Sequence, residues 1–331
     1  MYIFPLMMIY FFFMIFGTFV TIMSSSMVGM WVGLEMNLMA FIPMISMGGE
    51  GKKSSEACIK YFLIQSVASS LIIFSCIWFI LFLNSYLIEG FSYLLILSLG
   101  MKMGLAPLHF WFPEVMEGLS WINCLLIMTW QKISPLVIMS LIFKSSFLML
   151  LGTISALMGA ISGLNQTSLR KIMAFSSIAH LGWMTNIMAN NSFFWINYYI
   201  MYSLINFIIC FSFWFFSLNF LSQIFFQKDN WTKIIIFVNL LSLGGLPPLL
   251  GFLPKLYGFL ALSNNFLLLM MLIFSSLITL YFYTRLCLSV FTLSEMSFPL
   301  SLKLASKKNL IFNSSVMIFS TLGLIPFMMM I

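Results

Sequence analysis

Charge is what this sequence has least of. Only 7% of its 331 residues are charged, 15 basic and 8 acidic, against 62% hydrophobic residues and a mean hydropathy of +1.08. Soluble chains average about 25% charged residues, so a fold in water is excluded because it would leave very large apolar areas exposed. No stretch between the apolar runs is long enough to build a soluble core. Cysteine is also sparse: Cys58, Cys76, Cys124, Cys210 and Cys287 stand far apart. Without a Cys-x-x-Cys pair they give no sign of a metal, haem or iron–sulfur centre, and they read as small apolar residues within helices. There is no Walker loop, no glycine fingerprint following a strand, and no His and carboxylate cluster with metal spacing. The chain alone is therefore expected to perform no redox or hydrolytic chemistry. The opening MYIFPLMMIYFFF has neither a basic leader region nor an Arg- and Ser-rich presequence, so a chain residing in an organelle would be expected to be made there. The 29 methionines fit a mitochondrial code that reads an extra codon as Met, although drift in an AT-rich genome gives the same excess.

What is present is a succession of long apolar segments. With about 20 residues needed per span, the sequence predicts eleven transmembrane helices, roughly at 3–22, 27–46, 56–83, 91–112, 121–143, 147–165, 170–189, 194–220, 232–261, 266–290 and 310–330. The turns after helices two, six, eight and ten hold Lys52, Lys53, Arg170, Lys171, Lys228, Lys233, Lys303, Lys307 and Lys308, whereas the other face has Lys144. That bias places the basic loops and the amino terminus on one side by the positive-inside rule. The net charge of +7 is then mainly a topology signal, and basic residues scattered over short loops make no nucleic-acid surface.

One pattern stands out from this background. GLAPLHFWFP, from Gly104 to Pro113, recurs as GLPPLLGFLP, from Gly245 to Pro254, 141 residues later and without a gap, with five of ten positions identical. Each copy interrupts an apolar segment with glycine and proline. Backbone released from helical hydrogen bonding is tolerated at membrane depth only where protein or a water-filled cavity satisfies it, so paired interruptions point to a transport site on an internal repeat. The interrupted helices are the fourth and ninth. Their odd separation implies opposite crossing directions and an all-α membrane protein with two inverted repeats, a single polytopic domain with units at roughly 27–165 and 170–290 and flanking helices at 1–22 and 310–330.

Four ionisable residues fall at mid-helix or beside the breaks: Glu35, Lys102, Lys132 and Lys255. Each costs about 2.5 to 3.5 kcal/mol at such a depth, so each must be paired, hydrated or useful. Three cations and one anion do not balance, and at least one amine is expected to be neutral part of the time, since burial and neighbouring cations disfavour the ammonium. Glu35, in WVGLEMN, is either a static ion-pair partner or a group that modulates Lys102 as their pair opens and closes. Lys102 is either its counter-ion or a proton carrier beside the donor lost at Pro107. Lys132, three residues before Pro135, carries protons or bonds freed carbonyls, and Lys255 continues the path or snorkels to the surface. His180 shares a helix face with Ser176 and is a proton relay or an interhelical hydrogen-bond partner. His109 reads as a cap on freed carbonyls. Glu114 and Glu117 read as solvated, with an entry funnel for protons as the alternative.

The runs NQTSLRKIMAFSSIAHLGWM (Asn165 to Met184), WVGLEMNLMAFIP (Trp31 to Pro43), KMGLAPLHFWFPEV (Lys102 to Val115) and GGLPPLLGFLPKL (Gly244 to Leu256) closely resemble the subunit 2 family of mitochondrial NADH:ubiquinone oxidoreductase, respiratory complex I. The resemblance covers essentially the whole chain. It implies an antiporter-like subunit of the proton-pumping arm, related to Mrp-type cation/proton antiporters, with two inverted five-helix units; eleven helices resemble the shortened animal form. It further implies that Glu35 pairs with Lys102, and that Lys132 and Lys255 continue a polar axis for protons. No cofactor is implied on this chain: NAD, FMN, iron–sulfur clusters and ubiquinone belong to other subunits. The implied setting is the mitochondrial inner membrane, with the Lys-rich face toward the matrix, among other complex I subunits and lipids. A free-standing sodium/proton antiporter, or a scaffold whose buried charges only hold helices in register, are the alternatives.

Overall fold

A computed structural model describes residues 3–48, 51–81, 88–142, 146–190, 193–225 and 230–294; the span expected at 310–330 lies outside them. The described residues form helices α1 (Ile3–Met23), α2 (Met27–Met47), α3 (Lys52–Leu81), α4 (Ile88–Met103), α5 (Trp111–Gly118), α6 (Trp121–Met128), α7 (Trp130–Ile142), α8 (Ser146–Gly163), α9 (Leu169–Ala189), α10 (Phe194–Phe215), α11 (Leu221–Phe225), α12 (Asn230–Gly244), α13 (Phe252–Leu262) and α14 (Phe266–Ser294). Among these residues seven spans are long and apolar enough to cross a membrane, with α6 and α7 together counting as one, and three shorter apolar helices accompany them. The chain is a multi-pass membrane protein.

Three predicted spans prove to be pairs of helices. The segment expected at 91–112 ends at Met103 and resumes as α5, and that at 232–261 divides into α12 and α13. The span at 121–143 divides at Thr129, whose φ of −115° and ψ of −81° leave the helical region. Its hydroxyl donates back to the Leu125 carbonyl at 2.7 Å, a bond known to bend helices. Pro135 lies inside α7, so the departure falls earlier than the proline alone would suggest.

Cα packing divides the chain into two compact units, Met1–Ser155 and Ala156–Ile331, with the division inside α8. In the first unit α1 packs along α2, α3 lies against α2, α4 and α5, and α7 touches α1, α2, α4 and α6. The α1–α2 contact is close because Gly33 meets α1 without a side chain: a Cβ there would stand 2.8 Å from the Gly17 carbonyl oxygen. Small residues at helix crossings are how membrane bundles gain packing contacts. α2 starts where the Ser26 hydroxyl accepts from the Gly29 N–H at 3.1 Å, an N-cap. Asn37 donates to the Ser134 hydroxyl at 3.3 Å, tying α2 to α7. Asn123 donates to the Met44 carbonyl at 3.1 Å, holding the end of α2 to α6.

In the second unit α10 packs on α9, α12 and α13, while α14 lies against α9, α11, α12 and α13. α9 is unusual: 19 of its 21 residues are buried, although it carries Ser176, Ser177, His180, Thr185 and Asn186. Polar side chains on a membrane helix that is buried on every side face the bundle interior and not lipid. Just before α9, Ser168 forms an antiparallel bridge with Phe220. Leu169 N–H donates to Asn219 at 3.1 Å, Leu221 N–H donates to Thr167 at 3.2 Å, and Arg170 donates to the Asn219 side chain at 2.7 Å.

The offset of 141 residues extends well beyond the two glycine-proline breaks. Adding it to the bounds of α1 through α5 gives those of α8, α9, α10, α12 and α13 to within a few residues, except that α3 runs past the end of α10. The kinked pair α6 and α7 falls on the first two-thirds of α14 in the same way. The repeat is therefore a property of the whole helical framework, and each half carries one fully interrupted helix.

Candidate functional site

The first break begins with a glycine in the left-handed region. Gly104 has φ +80°, and its N–H and that of Leu105 reach back to Met101 and Gly100 at 3.3 and 2.8 Å. This is the glycine-terminated helix end in which two backward bonds satisfy orphan carbonyls. The Met101 carbonyl also accepts from the Trp111 indole at 3.2 Å, the Lys102 carbonyl accepts from Gln65 at 3.1 Å, and His109 Nδ1 lies 3.3 Å from the Pro107 oxygen. Side chains and turn amides, then, serve the carbonyls that the broken helix releases. Lys102 sits in the last turn of α4, where the negative end of the helix dipole favours a cation.

Lys102 is only 8% exposed and lines a cavity of about 20 Å³ together with Asn37, Gln65, Gln131 and Lys132. That volume holds a single water. Glu35 is half-buried, acts electrostatically on Lys102 and forms no contact ion pair with it within 4.0 Å among the described residues. Its Oε1 is buried without a hydrogen-bond partner. The pair is thus separated in this structure, with both groups close enough to feel each other. Lys132 is 1% exposed, and its ammonium stands over the Phe112 ring at 5.1 Å, a cation–π contact. It lies in the first turn of α7, where the helix dipole opposes a cation.

The second break repeats the turn in the other unit. Gly245 has φ +75°, and its N–H donates to Ser242 at 3.0 Å. Lys255, 6% exposed, folds inward under the break and donates to the Gly244 carbonyl at 2.5 Å. A Cβ on Gly245 would collide with the lysine chain at 2.7 to 2.8 Å, so glycine is required here both for its conformation and for its space. Lys255 does not snorkel; it caps the helix that the break terminates. His180 lines a cavity of about 10 Å³ with Lys255, Ser176, Thr279 and Tyr283, close to the lower size limit for a water. Its Nδ1 lies 2.8 Å from the Tyr198 hydroxyl, a bond between α9 and α10, and the Tyr202 ring packs 5.2 Å away.

The structure therefore gathers Lys102 and Lys132 around one cavity, with Glu35 nearby, and His180 and Lys255 around another. Glu114 and Glu117 belong to α5 and are in ion pairs with Lys60 at 2.6 Å and Lys53 at 3.8 Å. Sequence reading overlooked Gln65, Tyr198, Trp111 and Thr129. The repeat contained a signal for one of them, since the 141 offset pairs Tyr61 and Gln65 with Tyr202 and Asn206, a matched aromatic and amide on α3 and α10.

Residues 24–280 match the family described as NADH:quinone oxidoreductase/Mrp antiporter, TM. NADH-ubiquinone oxidoreductase chain 2 of Anopheles gambiae is 49% identical over 288 residues, covering 85% of this chain and 84% of that relative. The Locusta migratoria protein of the same name is 41% identical over 321 residues, covering 93% and 92%. Among solved structures, a chain of respiratory complex I from Thermus thermophilus with bound aureothin aligns at TM-score 0.79 and 23% identity, over 95% of this chain and 77% of that one. A chain of the Mrp complex from Dietzia aligns at 0.69 and 16% identity, over 89% and 61%. These two likenesses are of fold. With a family model over most of its length and relatives above 40% identity, the chain belongs to the NADH:quinone oxidoreductase/Mrp antiporter family of membrane subunits, in its NADH-ubiquinone oxidoreductase chain 2 branch.

Proposed function

We propose that this chain is a proton-translocating core membrane subunit of respiratory complex I, the H+-translocating NADH:ubiquinone reductase. It sits in the mitochondrial inner membrane with its amino terminus and Lys/Arg-rich loops on the matrix side, among other membrane-arm and accessory subunits and lipids. NAD, FMN, iron–sulfur clusters and ubiquinone are bound by those other subunits, and electron transfer takes place there. This chain supplies protonatable groups. The observation that carries the reading is the burial of Lys102, Lys132 and Lys255 to below a tenth exposed, two of them at glycine-broken helices. Lysines at such depth cost about 2.5 to 3.5 kcal/mol each and are retained where ions or protons pass.

In the first unit, electron transfer elsewhere in the complex biases the separation of Glu35 and Lys102. Approach of the carboxylate holds charge on the amine, and withdrawal frees a proton toward the cavity shared with Lys132. In the second unit His180 and Lys255 face a common cavity and play the matching part. Coupling through displacement of charged groups demands a bistable arrangement, a role we assign to the Glu35–Lys102 pair, whose open arrangement in this structure supports the reading.

The test is Glu35→Gln in the assembled enzyme reconstituted into liposomes. Protons moved per NADH are expected to fall while oxidation of NADH by a soluble electron acceptor is retained. An unchanged proton yield in fully assembled enzyme would overturn the role of the pair. The purified chain in liposomes by itself is expected to exchange no sodium for protons, and exchange by the chain alone would instead identify a free-standing antiporter.

A further inference from the structure

Gln65 is a buried amide in the middle of an apolar helix, 5% exposed, and its Nε2 donates at 3.1 Å to the main-chain carbonyl of Lys102. That carbonyl is one of the last in α4. In an uninterrupted helix it would accept from the N–H four residues on, but the chain has already turned at Gly104. Gln65 therefore replaces a helical bond with one from a neighbouring helix. It fixes the backbone of the lysine, and both residues line the same water-sized cavity.

The internal repeat supplies an independent comparison. At the 141 offset Tyr61 and Gln65 become Tyr202 and Asn206, and Lys102 becomes Leu243. All four α3 and α10 residues are buried to 5% or less. Where the lysine is present, the amide reaches the carbonyl. Where leucine takes its place, the amide is one methylene shorter, and among the described residues no main-chain carbonyl accepts from Asn206. The reach thus accompanies the charge, which a purely structural clamp on a broken helix would not require.

We propose that Gln65 is a positioning residue for Lys102. By pinning the lysine's backbone it leaves side-chain rotation as the ammonium's freedom, between the Glu35 side and the cavity toward Lys132. The inference rests on Lys102 being a proton carrier. It assigns no proton to Gln65 itself.

The experiment is a double-mutant cycle in assembled, liposome-reconstituted complex, comparing wild type, Gln65→Met, Lys102→Met and the double variant, each normalised to assembled enzyme. Met has nearly the length of Gln and no donor, and its apolar chain suits the membrane interior. Gln65→Asn, which keeps the amide and shortens its reach as in Asn206, is measured in parallel in case the Met variant assembles poorly. Losing one hydrogen bond corresponds to about a two- to tenfold fall in coupled turnover, expected in kcat with KM for NADH and quinone unchanged. On the Lys102→Met background the Gln65 substitution is expected to add nothing, since groups acting as one unit are not additive. Loss that multiplies on that background, or a Gln65 variant that pumps like wild type, overturns the proposal and leaves the role of Lys102 intact. Normal pumping by Lys102→Met would overturn both.

Discussion

Replacing Lys132 by methionine is expected to leave the complex assembled and to lower the number of protons pumped per electron. The lysine is 1% exposed, among the most deeply buried large side chains of the described residues, and it starts a helix whose dipole works against its charge. Exchanging such a buried ion for an apolar chain of similar volume is commonly neutral or stabilising, and Met adapts well to irregular cavities. A loss of pumping would therefore not be explained by unfolding. Lys132→Arg separates charge from proton transfer, because guanidinium keeps the cation over Phe112 yet does not release a proton in proteins. Both variants are expected to fall short in acid pulses delivered by reconstituted enzyme, with the Met variant retaining NADH oxidation by a soluble acceptor. Wild-type proton yield from fully assembled Lys132→Met would remove this residue from the pathway.

Gly251→Ala is expected to deplete the assembled complex more severely than any other single methyl addition at the breaks. Gly251 has φ −68°, a conformation open to every residue, so the requirement there is one of space alone. Its added Cβ would lie 1.5 Å from the Ser242 carbonyl oxygen and 2.5 Å from the Ser242 carbonyl carbon. Those are backbone atoms in the last turn of α12, which cannot swing aside. Accommodation means pulling α13 away from α12, and with it Lys255 from the Gly244 carbonyl that it caps. A cost of at least about 3 kcal/mol follows, at the upper end for overpacking and single substitutions. Gly104→Ala makes the comparison: it suffers a left-handed φ, about 1 to 2 kcal/mol, and meets the Phe112 side chain at 3.2 Å. Native gels after expression of each variant should show the larger depletion for Gly251→Ala; equal amounts of complex would contradict the close approach.

Much of this architecture is written in apolar run lengths. The spans expected at 3–22, 27–46, 147–165, 170–189 and 266–290 correspond to α1, α2, α8, α9 and α14 with small shifts at their ends, because a membrane imposes a length on any helix that crosses it. The breaks were legible because glycine and proline have few other uses inside apolar segments. The division at Thr129 was not, since a threonine bonding to its own helix looks like any other threonine in sequence. The relation of Glu35 to Lys102 was legible as an attraction and not as a distance: oppositely charged residues at mid-membrane on two spans imply that they seek each other, but side-chain rotamers decide whether they touch. Gln65 was hidden for another reason. A lone amide in an apolar helix becomes informative only when the helix beside it is known to have lost a donor.

The main-chain bonds joining Leu169 to Asn219 and Leu221 to Thr167 have a mechanical consequence. They lash the entry of α9 to the exit of α10, so a screw rotation of α9 at this end would have to drag the α10–α11 connection along with it. These connecting amides should consequently exchange with deuterated solvent at the pace of helical ones, despite lying outside any helix.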